Sequence, residues 1–270
     1  MKTNKIIFFG NGLLANSVYS VLNNYSNLKI IFHAKTRDDL EKVKKIKLEN
    51  PNAFGVLASF GVLIKKEYLD LFEPEGIINI HPSLLPEYRG ASPIETAILD
   101  GKKQFSVSIM KLVKEMDAGP IYYQKTLENL PLDKKVIYET LAKTGATWLA
   151  ENISNIKNLY ISKKYLIQDS SKATFSKKFE KNDGELNPNI DSAETIFRKI
   201  VAFQNFPKPK LTLFGKKCII LSAEPTSENE QGSLSIKCAD GNYLKILQLQ
   251  PESRKPMDYK SFLNGLKNVK

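Results

Sequence analysis

The chain has 270 residues, of which 42% are apolar, a net charge of +11 and two cysteines. This length favours two domains with real cores. The absence of a long uncharged apolar run and of a signal-peptide pattern excludes a membrane-spanning or secreted protein, so we expect a cytoplasmic one. Cys218 and Cys238 are too few and too far apart for a disulfide framework or a zinc site, and we predict that both lie in the core.

Apolar strands alternate with helical segments over the first 81 residues. The pattern opens with an apolar run closed by Gly10-Asn11-Gly12, which is how a doubly wound sheet begins. It predicts an α/β fold with an N-terminal Rossmann-like, mostly parallel sheet, with functional groups at the carboxyl ends of its strands. The predicted strands cover residues 5–9, 28–32, 55–60 and 76–81, and the helical segments between the later ones cover residues 38–48 and 65–72.

The glycine turn after the first strand does not complete a dinucleotide-binding motif. Ala15 stands where the third glycine of GxGxxG would fall, and no acidic residue clearly closes the second strand. We therefore interpret Gly10 and Gly12 as parts of a tight structural turn.

A polar, charged segment between Asp169 and Pro188 divides the chain. We predict an N-terminal domain over residues 1–168, a linker over 169–187 and a smaller C-terminal domain over 188–270. The smaller domain opens with a helical pattern, which short alternating strands and turn residues follow. Such spacing predicts an OB-like β-barrel.

Two polar side chains end a strand that is otherwise apolar. Asn79 and His81 lie two residues apart and so share one face of the strand, while Ile78 and Ile80 share the other. Strands of a parallel sheet are usually apolar on both faces, so the polar pair favours a functional site, although satisfied core polar groups give the same pattern. The chain has only one other histidine, His33, so the candidates for a general base are few.

The residues after this strand carry a family resemblance. Residues 81–90 read HPSLLPEYRG, residues 89–94 read RGASPI, and Asp117 stands in a turn shortly before Gly119. In these motifs the chain resembles the folate-dependent formyltransferases, whose pattern is Asn-x-His, then Ser-Leu-Leu-Pro, and later an aspartate before Gly. The RGASPI segment is similar to that of the family members that formylate methionyl-tRNA.

The resemblance continues beyond these motifs and covers most of the chain. It implies a formyltransferase catalytic domain in the N-terminal part and a tRNA-binding domain in the C-terminal part. The later landmarks are ATFSKK from residue 173, Asp183-Gly184, residues 202–207, LQLQP from residue 247, and Lys255-Pro256-Met257.

The chemistry implied by the resemblance is transfer of a formyl group from 10-formyltetrahydrofolate to the α-amino group of initiator methionyl-tRNA. By resemblance and by residue chemistry, Asn79 donates a hydrogen bond to the formyl oxygen and His81 donates to the same oxygen. Asp117 orients or charges the imidazole and helps to move the proton. Because an α-amino group titrates near pH ~8, stabilising the oxyanion is the larger demand.

The folate co-substrate is assigned to two segments by resemblance. Ser83, Leu84, Leu85 and Pro86 are similar to the family's tetrahydrofolate-binding segment, and a tight apolar loop that plugs the sheet is the alternative interpretation. Residues 58–64 are similar to the family strand and loop that line the pterin pocket. Main-chain groups would contact the pterin there, so side-chain identities in that loop are uninformative.

One feature of the family pattern, a basic loop, is missing, and the surplus of basic residues elsewhere is relevant to it. The long basic loop after the second strand, associated with the acceptor end of tRNA, is missing, since residues 32–49 look like one helix. The net positive charge is denser after residue 160 and suits a polyanionic partner, although a codon bias toward lysine gives the same surplus. The helix has four lysines that either contact phosphate or form a solvated face, namely Lys42, Lys44, Lys45 and Lys47.

Three other functions share these features. A glycinamide ribonucleotide formyltransferase has the HPSLLP core, but such enzymes are typically single-domain, which leaves the basic C-terminal part unexplained. A sugar-nucleotide amine N-formyltransferase would use the same site, and the missing basic loop keeps it open. An RNA-binding module with a decayed site is disfavoured, because Asn79, His81 and Asp117 are all present. We expect a monomer that acts on initiator methionyl-tRNA.

Overall fold

The computed structural model describes residues 3–267, which divide into two compact units. The first unit contains residues 3–94 and 103–177, and the second contains residues 95–102 and 178–267. Part of the segment that the sequence analysis assigns to a linker is therefore folded with the first unit. The functional boundaries at 168 and 188 stay a prediction.

The first unit is built around a six-stranded sheet. The strands of this part of the chain are β1 (Asn4–Phe9), β2 (Leu28–Ala34), β3 (Phe54–Leu57), β4 (Ile77–His81), β5 (Arg89–Gly90), β6 (Phe105–Lys111), β7 (Ile121–Leu127) and β8 (Phe175–Ser176). Its helices are α1 (Leu13–Asn23), α2 (Leu40–Glu49), α3 (Lys66–Asp70), α4 (Pro93–Leu99), which continues into the second unit, α5 (Lys134–Asn152) and α6 (Ile156–Ile161).

The strand order in the sheet is β2-β1-β3-β4-β6-β7. The first four strands in that order pair in parallel, whereas β6 pairs antiparallel with both β4 and β7. This confirms the mostly parallel, Rossmann-like sheet. The sequence pattern predicts no strand over residues 105–111, yet β6 is buried along its whole length and extends the sheet beyond β4.

The turn after β1 is tight for a steric reason. A Cβ added at Gly10 would lie 2.2 Å from the carbonyl oxygen of Ala58, and Gly12 has a φ of 87°. Only glycine fits such a close approach and such a backbone angle without strain. The predicted tight turn is confirmed.

Helix α5 packs on one face of β4 and β6. At Gly145 an added Cβ would lie 3.0 Å from the side chains of both Ile80 and Val107, so the helix approaches the sheet closely. Because alternate residues of a strand face opposite sides, Asn79 and His81 are turned away from this helix. The apolar face of β4 thus holds the strand in the core and leaves its polar face for the site.

The second unit combines an antiparallel sheet with two further helices and the end of α4. The order is β11-β12-β10-β9, and β13 also pairs with β12. The sheet curls into a half-barrel, which confirms the small C-terminal β-barrel domain in this form. Its elements are α7 (Ala193–Ala202), β9 (Lys210–Leu213), β10 (Lys216–Thr226), β11 (Leu234–Lys237), β12 (Tyr243–Pro251), β13 (Met257–Asp258) and α8 (Tyr259–Lys267). No helix within residues 3–267 has the length and apolar character needed to cross a bilayer.

Both cysteines lie in the core of the second unit, as predicted. Cys218 and Cys238 are buried, and neither forms a disulfide. Burial raises the pKa of each thiol, which lowers the thiolate fraction and with it the reactivity. The two residues are therefore packing residues.

Candidate active site

The three side chains predicted to be catalytic meet where β4 ends. Asn79 and His81 are 4% and 5% exposed, and Asp117 lies in the connection between β6 and β7. The Asn79 side-chain amide donates to Asp117 Oδ1 over 3.3 Å, and His81 Nδ1 lies 3.7 Å from Asp117 Oδ2. The carboxylate thus stands between the amide and the imidazole. Their catalytic roles stay a prediction.

Asp117 is held in an uncommon backbone conformation, with a φ of 49°. Its Oδ2 accepts a hydrogen bond from the main-chain N–H of Gly90 over 2.8 Å, and its carbonyl accepts one from Gln168 over 2.8 Å. Gly90 has a φ of 116°, and a Cβ added there would lie 2.9 Å from Ser176 Oγ. Contacts on both its side chain and its main chain therefore fix the Asp117 carboxylate in place.

The ring orientation of His81 is set by a main-chain carbonyl. Its Nε2 lies 3.0 Å from the carbonyl oxygen of Tyr88. Since a carbonyl only accepts, Nε2 carries a hydrogen, and the neutral ring presents the Nδ1 lone pair toward Asp117. After protonation Nδ1 becomes a donor. One atom of His81 can thus first accept a proton and then donate a hydrogen bond.

A cavity of about 430 Å³ opens beside these side chains. Asn79, His81 and Asp117 all line it, and most of the remaining wall comes from residues 59–64 and 112–116. The volume falls within the range of small-molecule sites, about 300–1,000 Å³. The cavity lies at the carboxyl ends of β3 and β4, the edge at which open α/β sheets bind ligands.

Two family models match the chain. The one described as formyl transferase matches residues 10–153, and the one described as formyl transferase, C-terminal domain, matches residues 178–267. The chain belongs to the formyl transferase family. The resemblance seen in the sequence motifs is therefore confirmed, and it includes the C-terminal part.

Known relatives of this formyl transferase agree in sequence and in fold. The methionyl-tRNA formyltransferase of Borrelia turicatae is 34% identical over 247 residues, which cover 86% of this chain and 77% of the relative. HypX from Aquifex aeolicus in complex with tetrahydrofolic acid matches with a TM-score of 0.74 and 17% identity, covering 100% of this chain and 48% of HypX. The chain therefore spans about half the length of HypX. The methionyl-tRNA formyltransferase of Clostridium thermocellum matches with a TM-score of 0.59 and 18% identity, covering 95% of this chain and 99% of that one.

Residues 83–86 of this formyl transferase, predicted to bind tetrahydrofolate, lie in the loop after β4, in which Leu84 is exposed. Ser83 and Leu85 are 4% and 2% exposed. Ser108 of β6 donates to the Ser83 carbonyl over 2.6 Å and accepts from the Leu85 N–H over 3.2 Å, while Gln124 donates to the Leu85 carbonyl over 2.8 Å. Within the described residues none of the four lines the cavity. This geometry matches the plug interpretation, and their folate-binding role stays a prediction.

The loop after β3 forms the cavity wall instead. Strand β3 ends at Leu57, three residues before the predicted end, because Ser59 and Gly61 have φ values of 50° and 70° and leave the extended conformation. Leu63 lines the cavity although its side chain is 72% exposed. Residues 59–64 thus occupy the place expected for a pterin-lining loop.

Three buried polar residues that support the site were not identified as such from the sequence. Ser108 lies on β6, the strand that the pattern does not predict. Arg89 stands out only as part of the RGASPI motif, and Gln168 is one polar residue in a polar segment. Their partners lie far away in the chain, so no local pattern marks them.

One of the four lysines of α2 fits neither predicted alternative, a phosphate contact or a solvated face, because it is buried. Lys47 is 7% exposed, and its Nζ donates to the carbonyls of Pro51 over 2.6 Å and Ala53 over 2.7 Å. Burial lowers its pKa. The expectation for Lys47 is therefore wrong, because its ammonium group caps the chain after α2 from the inside.

Proposed function

We propose that this chain transfers the formyl group of 10-formyltetrahydrofolate to the α-amino group of methionyl-tRNA(fMet) for translation initiation. The observation that carries the proposal is the meeting of Asn79, His81 and Asp117 at the wall of a ligand-sized cavity. Family membership and the names of its relatives support this reaction and this acceptor.

The cavity suits the folate co-substrate. Its wall over residues 59–64 is mostly apolar, which suits stacking of a flat ring and exclusion of water, and its volume is adequate. HypX, which shares the fold, holds tetrahydrofolic acid in its solved structure. The co-substrate carries its formyl group on a nitrogen atom. The formyl carbon must lie beside the three polar side chains.

Asn79 and His81 stabilise the charge that develops on the formyl oxygen. Attack by the amine moves an electron pair from the C=O bond onto that oxygen, and the Asn79 N–H donates to it. An amide keeps its charge state at every working pH, so this donor is always available. His81 donates to the same oxygen from Nδ1 once the ring has taken up a proton, and Asp117 Oδ2 lies 3.7 Å from that nitrogen.

Proton balance gives Asp117 a second task. The amine loses one proton as the new C–N bond forms, and the folate nitrogen gains one as the old C–N bond breaks. Asp117 accepts and His81 donates within 3.7 Å of each other, so the pair can relay the proton, directly or through water. The α-amino group, with a pKa near ~8, is partly neutral already and needs no strong base.

The second unit supplies RNA binding in this proposal. Phe214, at the tip between β9 and β10, is 66% exposed, and Lys217, three residues later on β10, is exposed as well. Aromatic side chains that stack on bases, next to cations that neutralise phosphate, are typical of surfaces that bind single-stranded nucleic acid. In this proposal the C-terminal domain binds the tRNA, and the enzyme is a cytoplasmic monomer.

The test is a comparison of acceptors with the purified protein. It is given 10-formyltetrahydrofolate together with methionylated initiator tRNA, a sugar-nucleotide amine or glycinamide ribonucleotide, in separate reactions. We expect formylmethionyl-tRNA, and we expect kcat/KM for the tRNA to fall steeply with salt because phosphate contacts release counterions. Formylation of another amine alone overturns the acceptor, and no product in any reaction overturns the transfer.

A further inference from the structure

A buried glutamine holds the turn that carries Asp117. Gln168 is 9% exposed, and its Nε2 donates to the carbonyls of Asp117 and Gly119, over 2.8 Å in both cases. Its Oε1 accepts from Arg89 Nε over 3.1 Å and from Arg89 Nη2 over 2.8 Å. Because arginine only donates, it fixes which end of the carboxamide faces the turn.

The turn itself has little freedom. Asp117 has a φ of 49°, and a Cβ added at Gly119 would lie 1.8 Å from the carbonyl oxygen of Lys111. A non-glycine residue in the left-handed region costs free energy and persists only where neighbouring contacts enforce it. Gln168 provides such contacts at both ends of the turn.

The glutamine is fixed by the segments on either side of it. Leu166 exchanges two main-chain hydrogen bonds with Ile121 of β7, over 2.9 and 2.8 Å. Thr174 accepts a main-chain hydrogen bond from Arg89 over 2.9 Å, and β8 pairs with β5 beside it. The stretch from 166 to 176 is therefore attached both to the strand after Asp117 and to the strand that contains Arg89.

We propose that Gln168 is a positioning residue for formyl transfer and that Arg89 aligns it. By fixing the main chain at Asp117, the pair keeps the carboxylate between Asn79 and His81. Gln168 does not line the cavity, so it acts through Asp117 and not on the substrates. This inference rests on the proposed function.

The sharpest variant is Gln168→Glu, which keeps the shape of the side chain. One carboxylate oxygen still accepts from Arg89 and gains an ion pair, whereas the other faces two carbonyl oxygens that cannot donate. The turn therefore loses both hydrogen bonds from residue 168, while Arg89 keeps its acceptor. Gln104→Glu is the matched control, because exposed Gln104 loses the same kind of bond, to Glu128, at the opposite end of β6 from the cavity.

The expected result is a selective fall in turnover. We expect Gln168→Glu to lower kcat by up to roughly 10²-fold, the scale of a small misplacement of a reacting group, with the KM for 10-formyltetrahydrofolate changed less than about threefold. In an Asp117→Asn background the same exchange should change kcat less than about twofold, because it acts through that carboxylate. A merely structural role would lower kcat equally in both backgrounds.

Several outcomes overturn the inference. An unchanged kcat in folded Gln168→Glu does so, as does an equal fall in both backgrounds or an equal fall in Gln104→Glu. If Gln168→Glu fails to fold, Arg89→Lys replaces it, since lysine keeps the charge but loses the two-pronged contact. The same selective fall in kcat supports the proposal, and wild-type kcat overturns it.

A separate measurement distinguishes failure of the inference from failure of the proposed function. If the wild-type chain formylates none of the three amines, amide hydrogen exchange over residues 112–122 still tests the positioning. Faster exchange in Gln168→Glu than in Gln104→Glu supports the role of the glutamine in holding the turn. Equal exchange in the two variants overturns it.

Discussion

The ends of β2 and β4 each present a histidine, and the two regions differ in what surrounds the ring. His33 Nε2 lies 2.9 Å from the Gly10 carbonyl, much as His81 Nε2 lies 3.0 Å from that of Tyr88. The ring of His33 stacks on Tyr19, with centroids 4.9 Å apart, and also meets the edge of a phenylalanine ring. The ring of His81 instead faces a carboxylate and a cavity.

A hydrogen bond to a main-chain carbonyl therefore does not by itself make a histidine functional. The hydrogen bond fixes the tautomer in both regions, because each Nε2 must donate. The two histidines differ in the partner of Nδ1 and in their access to bound molecules. Of the two histidines, both within the described part of the chain, His81 borders the cavity and His33 does not.

The largest expected effect is at His81. We expect His81→Ala to lower kcat by roughly 10³-fold, within the range for loss of a group that donates and accepts protons in the transition state. Single-turnover formylation with both substrates saturating measures it, and circular dichroism checks the fold. A folded variant whose kcat falls less than about tenfold would contradict the catalytic role that distinguishes His81 from His33.

A smaller effect is expected at the wall of the cavity beside His81. We expect Leu63→Ala to raise the KM for 10-formyltetrahydrofolate about tenfold with little change in kcat, since about 1.4 kcal/mol of apolar contact is lost. Leu48→Ala is the matched control, because Leu48 is 66% exposed, similar to the 72% of Leu63, but lies on α2 outside the cavity wall. Equal KM values for the two variants would show that the folate lies elsewhere.

The smallest effect on turnover is expected at His33. We expect His33→Ala to leave kcat within about twofold of wild type, while the loss of one hydrogen bond and of ring packing lowers the thermal midpoint by about 2–4 °C. Parallel kcat measurements and thermal scans test this. A tenfold loss of kcat with an unchanged midpoint would contradict the comparison.

Local patterns in the sequence predict the centre of the site. The two-residue period of a strand places Asn79 and His81 on one face, and β4 shows that face turned away from α5. His33 has no polar residue two positions earlier, so the pattern already separates the histidines. Asp117 follows from the motif resemblance, and the structure brings it to the other two.

Tertiary contacts account for what the sequence pattern misses. Ser106 and Ser108 make β6 look half-polar, yet their hydroxyl groups are satisfied by Thr126 and by the Ser83 carbonyl inside the protein. Lys47 follows Leu40 and Val43 at helical spacing and is buried with them, and its ammonium group donates to two carbonyls four and six residues later. The partners of Ser106 and Ser108 lie 20 and 25 residues away, a separation that no periodicity indicates.

The measurement that tests the central claim most directly is the single-turnover rate of Asn79→Ala. It uses saturating 10-formyltetrahydrofolate and methionylated initiator tRNA, with folate affinity measured in parallel. Loss of one oxyanion donor predicts a rate lower by roughly 10²-fold or more with folate affinity preserved. A rate within about twofold of wild type, in a folded variant, would contradict the account of this site.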